Sequence, residues 1–236
     1  MNGSKSQIHS IVEGLNGAKL NPDVEVVIAP PAPYIGQAVE ENKQATVAVS
    51  AQNVYLKDNG AYTGEISAAM LKDLGATWTL TGHSERRSLL GESSEFIAEK
   101  TKYAIDNGLS VIFCCGEQKE DRESGKTFDV VSAQVQPLIK ALSAGDWSKV
   151  VIAYEPVWAI GTGLTATPED AEATHKEIRE YIAKEVSADV ANAVRILYGG
   201  SVNAKTAPDL SKKPNIDGFL VGGASLKPEF IEIINV

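Results

Sequence analysis

Residues 150–158 read Val-Val-Ile-Ala-Tyr-Glu-Pro-Val-Trp, an apolar run that ends in a glutamate and a proline. The apolar residues of this run do not alternate with polar ones, as they would in a strand with one solvated face. Strands covered on both faces, such as parallel strands flanked by helices, have this pattern. A second run of this kind is Val194-Arg-Ile-Leu197. The two runs predict a buried parallel sheet.

Similar β-rich runs recur along the chain and alternate with helix-periodic segments, of which Ser94–Asn107, Phe128–Ala141 and Pro168–Val186 are the clearest. Repeated βα units fit a (β/α) barrel or an open doubly wound sheet, and periodicity does not separate the two. The chain opens with a helical segment, Lys5–Gly14, before any strand. We therefore count seven strands, whereas a closed barrel of this type has eight. The predicted strands are Glu25–Ala29, Thr46–Ser50, Thr77–Thr81, Ser110–Cys115, Val150–Tyr154, Val194–Tyr198 and Asp217–Val221.

Composition narrows the class of protein. The chain has 236 residues, a formal net charge of −9 and 43% hydrophobic residues. No long block of Lys and Arg is present, which disfavours sequence-independent binding to nucleic acid or to anionic lipid. An anionic small ligand remains possible, because backbone N–H groups can bind it. No linker interrupts the sequence, so we predict one domain over residues 1–236.

The cysteine and hydropathy patterns predict a cytoplasmic protein. Cys114 and Cys115 are the only cysteines, and they are adjacent in an apolar run, which excludes a disulfide framework and predicts reduced, buried side chains. No apolar stretch is long enough to span a membrane, and residues 1–7 do not resemble a signal peptide.

The exit of the third predicted strand is the first candidate for chemistry. It reads Thr79-Leu-Thr-Gly-His-Ser-Glu-Arg-Arg87, and it places His83 beside Ser84 and Glu85. The loops after parallel strands carry function in α/β folds, and an imidazole there suits acid–base work. The alternative is a capping turn, in which Ser84 caps a helix and the arginines are solvated.

The exit of the fifth predicted strand carries a carboxylate, Glu155, directly before Pro156. Glu155 is a candidate base, and the alternatives are that it faces solvent or pairs with Arg87. The residues that follow are small, are bounded by prolines and precede a helix, which is typical of a hinged lid with an apolar tip. A rigid loop is the alternative. The predicted lid comprises Pro156, Val157, Trp158, Ala159, Ile160, Gly161, Thr162, Gly163, Leu164 and Thr165.

Paired glycines close the last two predicted strands, in Tyr198-Gly-Gly-Ser201 and Leu220-Val-Gly-Gly-Ala-Ser225. Each is an ordinary tight turn when taken alone. Two in succession at the end of a βα repeat predict a cradle of backbone N–H groups for a phosphate. The sequence has no dinucleotide fingerprint and no P-loop, so nucleotide binding is not supported.

A metal site is not predicted. His9, His83 and His175 lie far apart in the sequence and show no metal-ligand spacing. His9 and His175 belong to helical segments, and we expect both to be solvated surface residues.

Several of these motifs together resemble the triosephosphate isomerase family. They are Ala153-Tyr-Glu-Pro-Val-Trp-Ala-Ile-Gly-Thr-Gly163, Gly82-His-Ser-Glu-Arg-Arg87, Tyr198-Gly-Gly-Ser201 and Gly218-Phe-Leu-Val-Gly-Gly-Ala-Ser225, with Gln52-Asn53 and Gly60-Ala-Tyr-Thr-Gly-Glu65. The resemblance extends from Met1 to Val236. It implies a (β/α)8 barrel that interconverts dihydroxyacetone phosphate and glyceraldehyde 3-phosphate without a cofactor, usually as a homodimer.

The resemblance also implies roles for individual residues. Glu155 would be the base that moves a proton between two carbons, and His83 would be the neutral electrophile, a pairing for which this family is itself the standard example. Ser84 and Glu85 belong to the same catalytic motif, with Glu85 supporting the site. Residues 156–165 would form the lid that excludes water, and Thr63 would lie in the loop that contacts the partner subunit. The phosphate ligands would be Gly161, Ser201, Gly222 and Gly223.

One part of the family pattern has no counterpart here. The family begins with a strand that ends in Asn-x-Lys-Met-Asn-Gly, and this sequence starts at Met1-Asn2-Gly3. We therefore predict a shortened family member without the first strand and without its catalytic asparagine and lysine, a role that neither Lys5 nor Lys19 fills. Low stability and feeble activity at most would follow.

Two other hypotheses stay open at this point. The chain could be a catalytically silent protein that binds phosphate or has a structural role. Alternatively, another polypeptide could supply the missing strand.

Overall fold

The computed structural model describes residues 1–160 and 166–236. Seven parallel strands form one curled sheet in the order β1 to β7, and each strand pairs with the next along the chain. This confirms the predicted α/β architecture, and of the two predicted arrangements it favours the barrel type over the doubly wound sheet. Within the described residues, no ladder joins β7 to β1. The strands are β1 Val26–Ile28, β2 Val47–Ala51, β3 Trp78–Thr81, β4 Ser110–Cys115, β5 Val150–Tyr154, β6 Arg195–Tyr198 and β7 Gly218–Phe219.

Helices cover the outer face of the sheet, and several begin at a capping side chain. Ser93 caps helix α5 (Ser94–Asp106) by accepting a hydrogen bond from the Phe96 N–H, and Thr167 caps helix α8 (Pro168–Glu185) by accepting one from the Asp170 N–H. Each bond satisfies one of the N–H groups that a helix leaves unpaired at its start. The helices are α1 Lys5–Gly17, α2 Ile35–Glu41, α3 Ala68–Asp73, α4 Ser84–Leu90, α5 Ser94–Asp106, α6 Lys119–Glu123, α7 Thr127–Ala141, α8 Pro168–Glu185, α9 Ala188–Ala193, α10 Ala207–Leu210 and α11 Glu229–Ile234.

Two apolar layers cover the two faces of the sheet. The larger layer packs the outer face against the helices, with Phe113, Ile152 and Ile196 all fully buried. The smaller layer lines the concave inner face and includes Leu80 and Val151. Because side chains of a strand alternate between faces, the uninterrupted apolar runs of the sequence supply both layers at once.

Cys114 and Cys115 are free and buried, as the sequence predicts. They lie at the end of β4 and point to opposite faces of the sheet, so each belongs to a different apolar layer. Burial raises the pKa of the Cys115 thiol to about 12 and raises that of Cys114 as well. Both side chains therefore pack as neutral thiols.

No helix among the described residues is long and apolar enough to cross a membrane. The same part of the chain contains no group of three or more His, Cys, Asp or Glu residues that could bind a metal ion.

His175 corrects one prediction. The sequence places it on a solvated helix surface, but in the structure it is completely buried on α8. Its Nδ1 donates to the Asn215 carbonyl at 3.1 Å, and its ring contacts the rings of Tyr154 and Tyr198. Burial lowers the pKa of His175 to about 4, so the ring is neutral at pH 7. The helical period alone could not show that this face of α8 meets two strand-end tyrosines.

Candidate active site

The site lies at the carboxyl ends of the middle strands, and its centre is Glu155. This residue directly follows β5, and its N–H donates to the Cys115 carbonyl at 2.7 Å, which extends the ladder between β4 and β5. Glu155 is only 2% exposed. A buried carboxylate needs polar partners, because desolvation of its charge is costly. The alternative of a solvated glutamate is therefore excluded.

The partners of Glu155 come from the exit of β3. His83 Nε2 donates to Glu155 Oε1 at 3.0 Å, and the Ser84 backbone N–H donates to Oε2 at 3.1 Å. Gly82 makes this geometry possible, because its φ of 71° gives the sharp turn between β3 and α4. The structure thus brings together the two residues that the sequence places 72 positions apart along the chain.

The tautomer of His83 follows from its second nitrogen. The backbone N–H of Glu85 donates to His83 Nδ1 at 3.3 Å, so the neutral ring carries its proton on Nε2, facing Glu155. Burial acts to lower the pKa of His83, but the hydrogen bond and charge of Glu155 raise it by more. The resulting pKa of His83 lies above its ordinary value.

Glu85 lies beside the imidazole of His83. Its side chain is 72% exposed, and its carboxylate lies 3.8 Å from His83 Nδ1. The backbone N–H of Glu85, rather than its carboxylate, makes the closer contact with the imidazole.

Arg87 does not pair with Glu155, although the sequence left that alternative open. Its guanidinium donates to the Gly82 carbonyl, the Ser94 hydroxyl and the Cys114 carbonyl at 2.8, 3.0 and 2.9 Å. These bonds connect the exits of β3 and β4 with the start of α5. Arg87 therefore fixes the turn that carries His83.

The described part of the predicted lid is anchored to its surroundings. Residues Val157–Ala159 form a 3-10 helix, and Trp158 Nε1 donates to Glu117 Oε1 at 2.9 Å. Ser201 donates to the Ala159 carbonyl at 2.6 Å, which links the exit of β6 to the lid. The rest of the predicted lid, Gly161, Thr162, Gly163, Leu164 and Thr165, lies outside the described residues, and so does the predicted phosphate contact at Gly161.

The remaining phosphate candidates lie at the exits of β6 and β7. Gly222 and Gly223 are exposed, and a 3-10 helix, Gly223–Leu226, begins there. A Cβ built at either glycine meets no atom within 4 Å. The space in front of both backbones is therefore open to a ligand, which is what a cradle of N–H groups requires.

Glu117 was missed by the sequence analysis. It is completely buried and accepts hydrogen bonds from the Tyr154 hydroxyl and from the Trp158 indole through the same oxygen, Oε1. The sequence signal that could have found Glu117 is its place two residues after the end of β4, since Glu155 directly follows β5 in a similar way. The structure shows Glu117 as the anchor of the lid's first turn.

The fold and the site define a class of protein: a parallel α/β barrel-type protein in which a buried carboxylate contacts a partly exposed imidazole at the strand ends. The family model described as "Triosephosphate isomerase" matches residues 1–236. The chain belongs to the triosephosphate isomerase family.

Curated relatives agree with that assignment. The chain is 62% identical over 234 residues to the triosephosphate isomerase of Debaryomyces hansenii, covering 99% of this chain and 94% of the relative. It is 62% identical over 233 residues to that of Candida albicans, covering 99% and 93%, and 58% identical over 235 residues to that of Neurospora crassa, covering 100% and 94%.

Proposed function

We propose that this protein interconverts dihydroxyacetone phosphate and D-glyceraldehyde 3-phosphate by proton transfer through an enediolate, without a cofactor. The observation that carries the proposal is the contact of 3.0 Å between His83 Nε2 and Oε1 of the buried Glu155. A base and a hydrogen-bond donor at this spacing are what proton abstraction beside a carbonyl needs. The relatives that match nearly the whole chain carry the name of this isomerase.

In the proposed reaction, Glu155 takes a proton from one carbon of the substrate and returns it to the neighbouring carbon. His83 donates its Nε2 proton to the oxygen on which negative charge develops. Protonation of Glu155 removes the charge that raises the pKa of His83. Burial and the start of α4 then both favour the neutral ring, which is the form that serves as donor.

The phosphate of the substrate would be bound at the outer strands, by Ser201 and by the N–H groups at Gly222 and Gly223. Gly161 completes the proposed set. Binding energy from this non-reacting group can order the reacting carbons beside Glu155. The lid, residues 156–165, would exclude water from the enediolate and limit loss of phosphate.

The family also leads us to propose a homodimer, with Thr63 in the contacting loop. Thr63 and its neighbours from Gly60 to Glu65 are exposed, and Gly64 has a φ of 93° in a tight turn. A cytoplasmic location is supported by the two free, buried thiols, which are typical of a reducing compartment.

The test compares kcat/KM for glyceraldehyde 3-phosphate with that of Glu155→Gln, prepared identically. We expect the variant to lose at least about a thousandfold, because a positioned base contributes on this order. Equal rates in both preparations would show contamination by a host isomerase and would contradict the proposal. A phosphorylated hydroxamate, which mimics the enediolate, should bind far more tightly than inorganic phosphate. If it binds no better, the silent phosphate-binding alternative is correct.

A further inference from the structure

His175 lies behind the candidate site and takes no part in the proton transfer proposed above. It extends from α8 and is completely buried. The centroid of its ring lies 5.7 Å from that of Tyr154 and 6.1 Å from that of Tyr198. These two tyrosines are the last residues of β5 and β6. One side chain of α8 therefore packs against the ends of both strands that lead into the site.

Tyr154 connects His175 with the proposed base. Glu155 is the next residue of the chain, and Tyr154 itself is almost completely buried. The Tyr154 hydroxyl donates to Glu117 at 3.0 Å, so the side chain is held both at its hydroxyl and at its ring. Because the interior of a protein is closely packed, a shift of the Tyr154 ring would also move the backbone that carries Glu155.

Tyr198 leads to the proposed phosphate ligand Ser201, three residues further along the chain. The Tyr198 hydroxyl lies against the backbone between them, since a Cβ at Gly200 would collide with it. The Gly199 N–H donates to the Tyr154 carbonyl at 2.7 Å. The exits of β5 and β6 are thus joined by a backbone hydrogen bond and, on the side of α8, by the imidazole.

The imidazole has a fixed orientation. His175 Nδ1 donates to the Asn215 carbonyl at 3.1 Å. The side-chain oxygen of Asn215 accepts from Arg179 Nε at 2.9 Å, and its backbone and side-chain N–H groups donate to Glu172 at 3.0 and 2.6 Å. A network in which each polar group is paired is rigid, so the Asn215 carbonyl holds the ring in one orientation.

The other ring nitrogen, Nε2, has no such partner. Because the neutral ring carries its proton on Nδ1, Nε2 is an acceptor, and it is buried without a hydrogen bond among the described residues. A buried acceptor of this kind lowers stability, and a phenyl ring would fill similar space without that loss. Departures from the pairing of buried polar groups are expected at functional sites. Packing alone therefore does not account for a histidine at this position.

We propose that His175 is a positioning residue for the isomerase reaction. Its ring sets the arrangement of the ends of β5 and β6, so that Glu155 and Ser201 act on the same substrate molecule. This inference rests on the proposed function. His175 does not touch the substrate, and it acts through Tyr154 on the base and through Tyr198 on the phosphate ligand. A misplacement of about 1 Å is enough to lower a rate about a hundredfold.

The experiment compares His175→Phe with Ile182→Ala. The first variant keeps an aromatic ring and removes the hydrogen bond to Asn215. The second removes buried volume about two turns further along α8 and controls for a loss of stability that does not reach the two tyrosines. For both variants and the unaltered protein, kcat and KM for glyceraldehyde 3-phosphate and urea unfolding are measured. The dissociation constant of inorganic phosphate is measured by NMR titration, which does not depend on turnover.

We expect His175→Phe to lower kcat at least about tenfold and to raise the dissociation constant of phosphate at least about threefold. Its urea midpoint should be no lower than that of Ile182→Ala, which should keep both constants within about twofold of the unaltered protein. If either constant of His175→Phe stays within about twofold of the unaltered protein, the proposal is wrong. Equal losses of activity in the two variants also overturn it.

Ser201→Ala tests the path from His175 to the phosphate. Adding His175→Phe to Ser201→Ala should raise the dissociation constant of phosphate by less than about 1.5-fold further, because the group that His175 positions is already absent. A further rise as large as that in the unaltered protein contradicts the proposal.

A second variant keeps the test decisive if His175→Phe does not fold. His175→Asn keeps a donor towards Asn215 and loses the ring, and it is judged by the same criteria. If instead Glu155→Gln does not lower kcat/KM, the proposed function itself fails, whatever the results at His175.

Discussion

The inner face of the sheet differs between its middle and its outer strands. Apolar inner-face side chains of β3, β4 and β5 are at most 7% exposed, whereas the apolar ones at β1, β2, β6 and β7 are only half-buried. The difference in exposure follows from the position of the strands in the sheet, because strands near an edge have fewer neighbours to cover them. In the described sheet, β1 and β7 each lie at an edge, and β2 and β6 lie next to those edges. The buried group is Trp78, Leu80, Ile112, Cys114, Val151 and Ala153, and the half-buried group is Val27, Ala29, Ala48, Leu197 and Leu220.

The candidate site follows the same division. Glu155 and His83 extend from the well-covered strands, where desolvation strengthens the interaction between a charge and its partner. Gly222 and Gly223, two of the glycines proposed to bind phosphate, follow the outer strand β7 and are exposed. The residues proposed for proton transfer, which needs exclusion of water, thus follow the middle strands. The residues proposed to bind the solvated phosphate follow the outer strands.

Substitution of the glycines that follow the strands should show the largest difference in stability between the middle and the outer strands. A Cβ at Gly116, after β4, would lie 1.7 Å from the Glu155 carbonyl oxygen, which is backbone and cannot move alone. We expect Gly116→Ala to lower the free energy of unfolding by more than about 4 kcal/mol, as only a few kinds of substitution do. Gly223→Ala, where a Cβ meets nothing, should change it by less than about 0.5 kcal/mol.

Urea unfolding of both variants measures this difference. Comparable midpoints for Gly116→Ala and the unaltered protein would show that the exits of β4 and β5 are not tightly packed, and the distinction between middle and outer strands would then be wrong.

Ion pairs provide the second contrast. Behind the middle strands, Lys100 Nζ contacts Glu92 at 2.8 Å with both side chains buried. Between outer strands, Arg195 of β6 contacts Glu25 beside β1 at 2.7 Å, with both side chains more than 40% exposed. We expect Glu92→Gln to cost about 3 kcal/mol because it leaves the Lys100 ammonium without its countercharge, and Glu25→Gln to cost less than about 1 kcal/mol.

Thermal and urea unfolding at several salt concentrations test this second prediction. The small effect of Glu25→Gln should shrink further in high salt, since exposed pairs are screened. An equal loss from both variants would contradict the contrast.

Two leucines of the inner face allow the same comparison of stability between a middle and an outer strand. Leu80 of β3 is 7% exposed, and Leu197 of β6 is half-buried in the same apolar layer. We expect Leu80→Ala to destabilise the protein by about 1–2 kcal/mol more than Leu197→Ala, because the lost transfer free energy and the cavity both grow with burial. Urea midpoints with unchanged m-values measure this difference. A larger loss at Leu197 would mean that the outer strands are better covered than the structure shows.

The smallest expected effect is a pH dependence at the middle strands. The pKa of His83 is raised in the folded protein, so its contribution to stability is fully present below about pH 6.5 and is lost as the pH rises through the raised value. The free energy of unfolding lost in His83→Gln should therefore be smaller at about pH 9 than at about pH 6. Ser201→Ala, just after the outer strand β6, is the control without a titrating side chain. A loss that is constant with pH, or that grows, would show that the contact with Glu155 does not favour the charged imidazole.

The local sequence predicted most of the helices and strands, but it did not predict all of the tertiary contacts that their residues make. The predicted helix Ser94–Asn107 corresponds to α5, Ser94–Asp106, because its cap and period are both local signals. The predicted strand Asp217–Val221 is only Gly218–Phe219 in the structure, since strand length depends on pairing with a neighbour. The burial of His175 and the role of Glu117 could not be predicted, because their partners are distant in the sequence.

The sequence by itself determined the βα repeat, the family and the identity of the two candidate catalytic residues. These follow from local patterns: apolar runs, caps, and motifs in which His83 and Glu155 closely follow strands. Only the tertiary structure decided that the two side chains meet at 3.0 Å, that the Glu85 N–H fixes the imidazole tautomer, and that Glu155 lines a pocket. The physical reason is that burial, hydrogen-bond partners and cavities depend on which strands and helices become neighbours, and no local stretch of the chain contains that information.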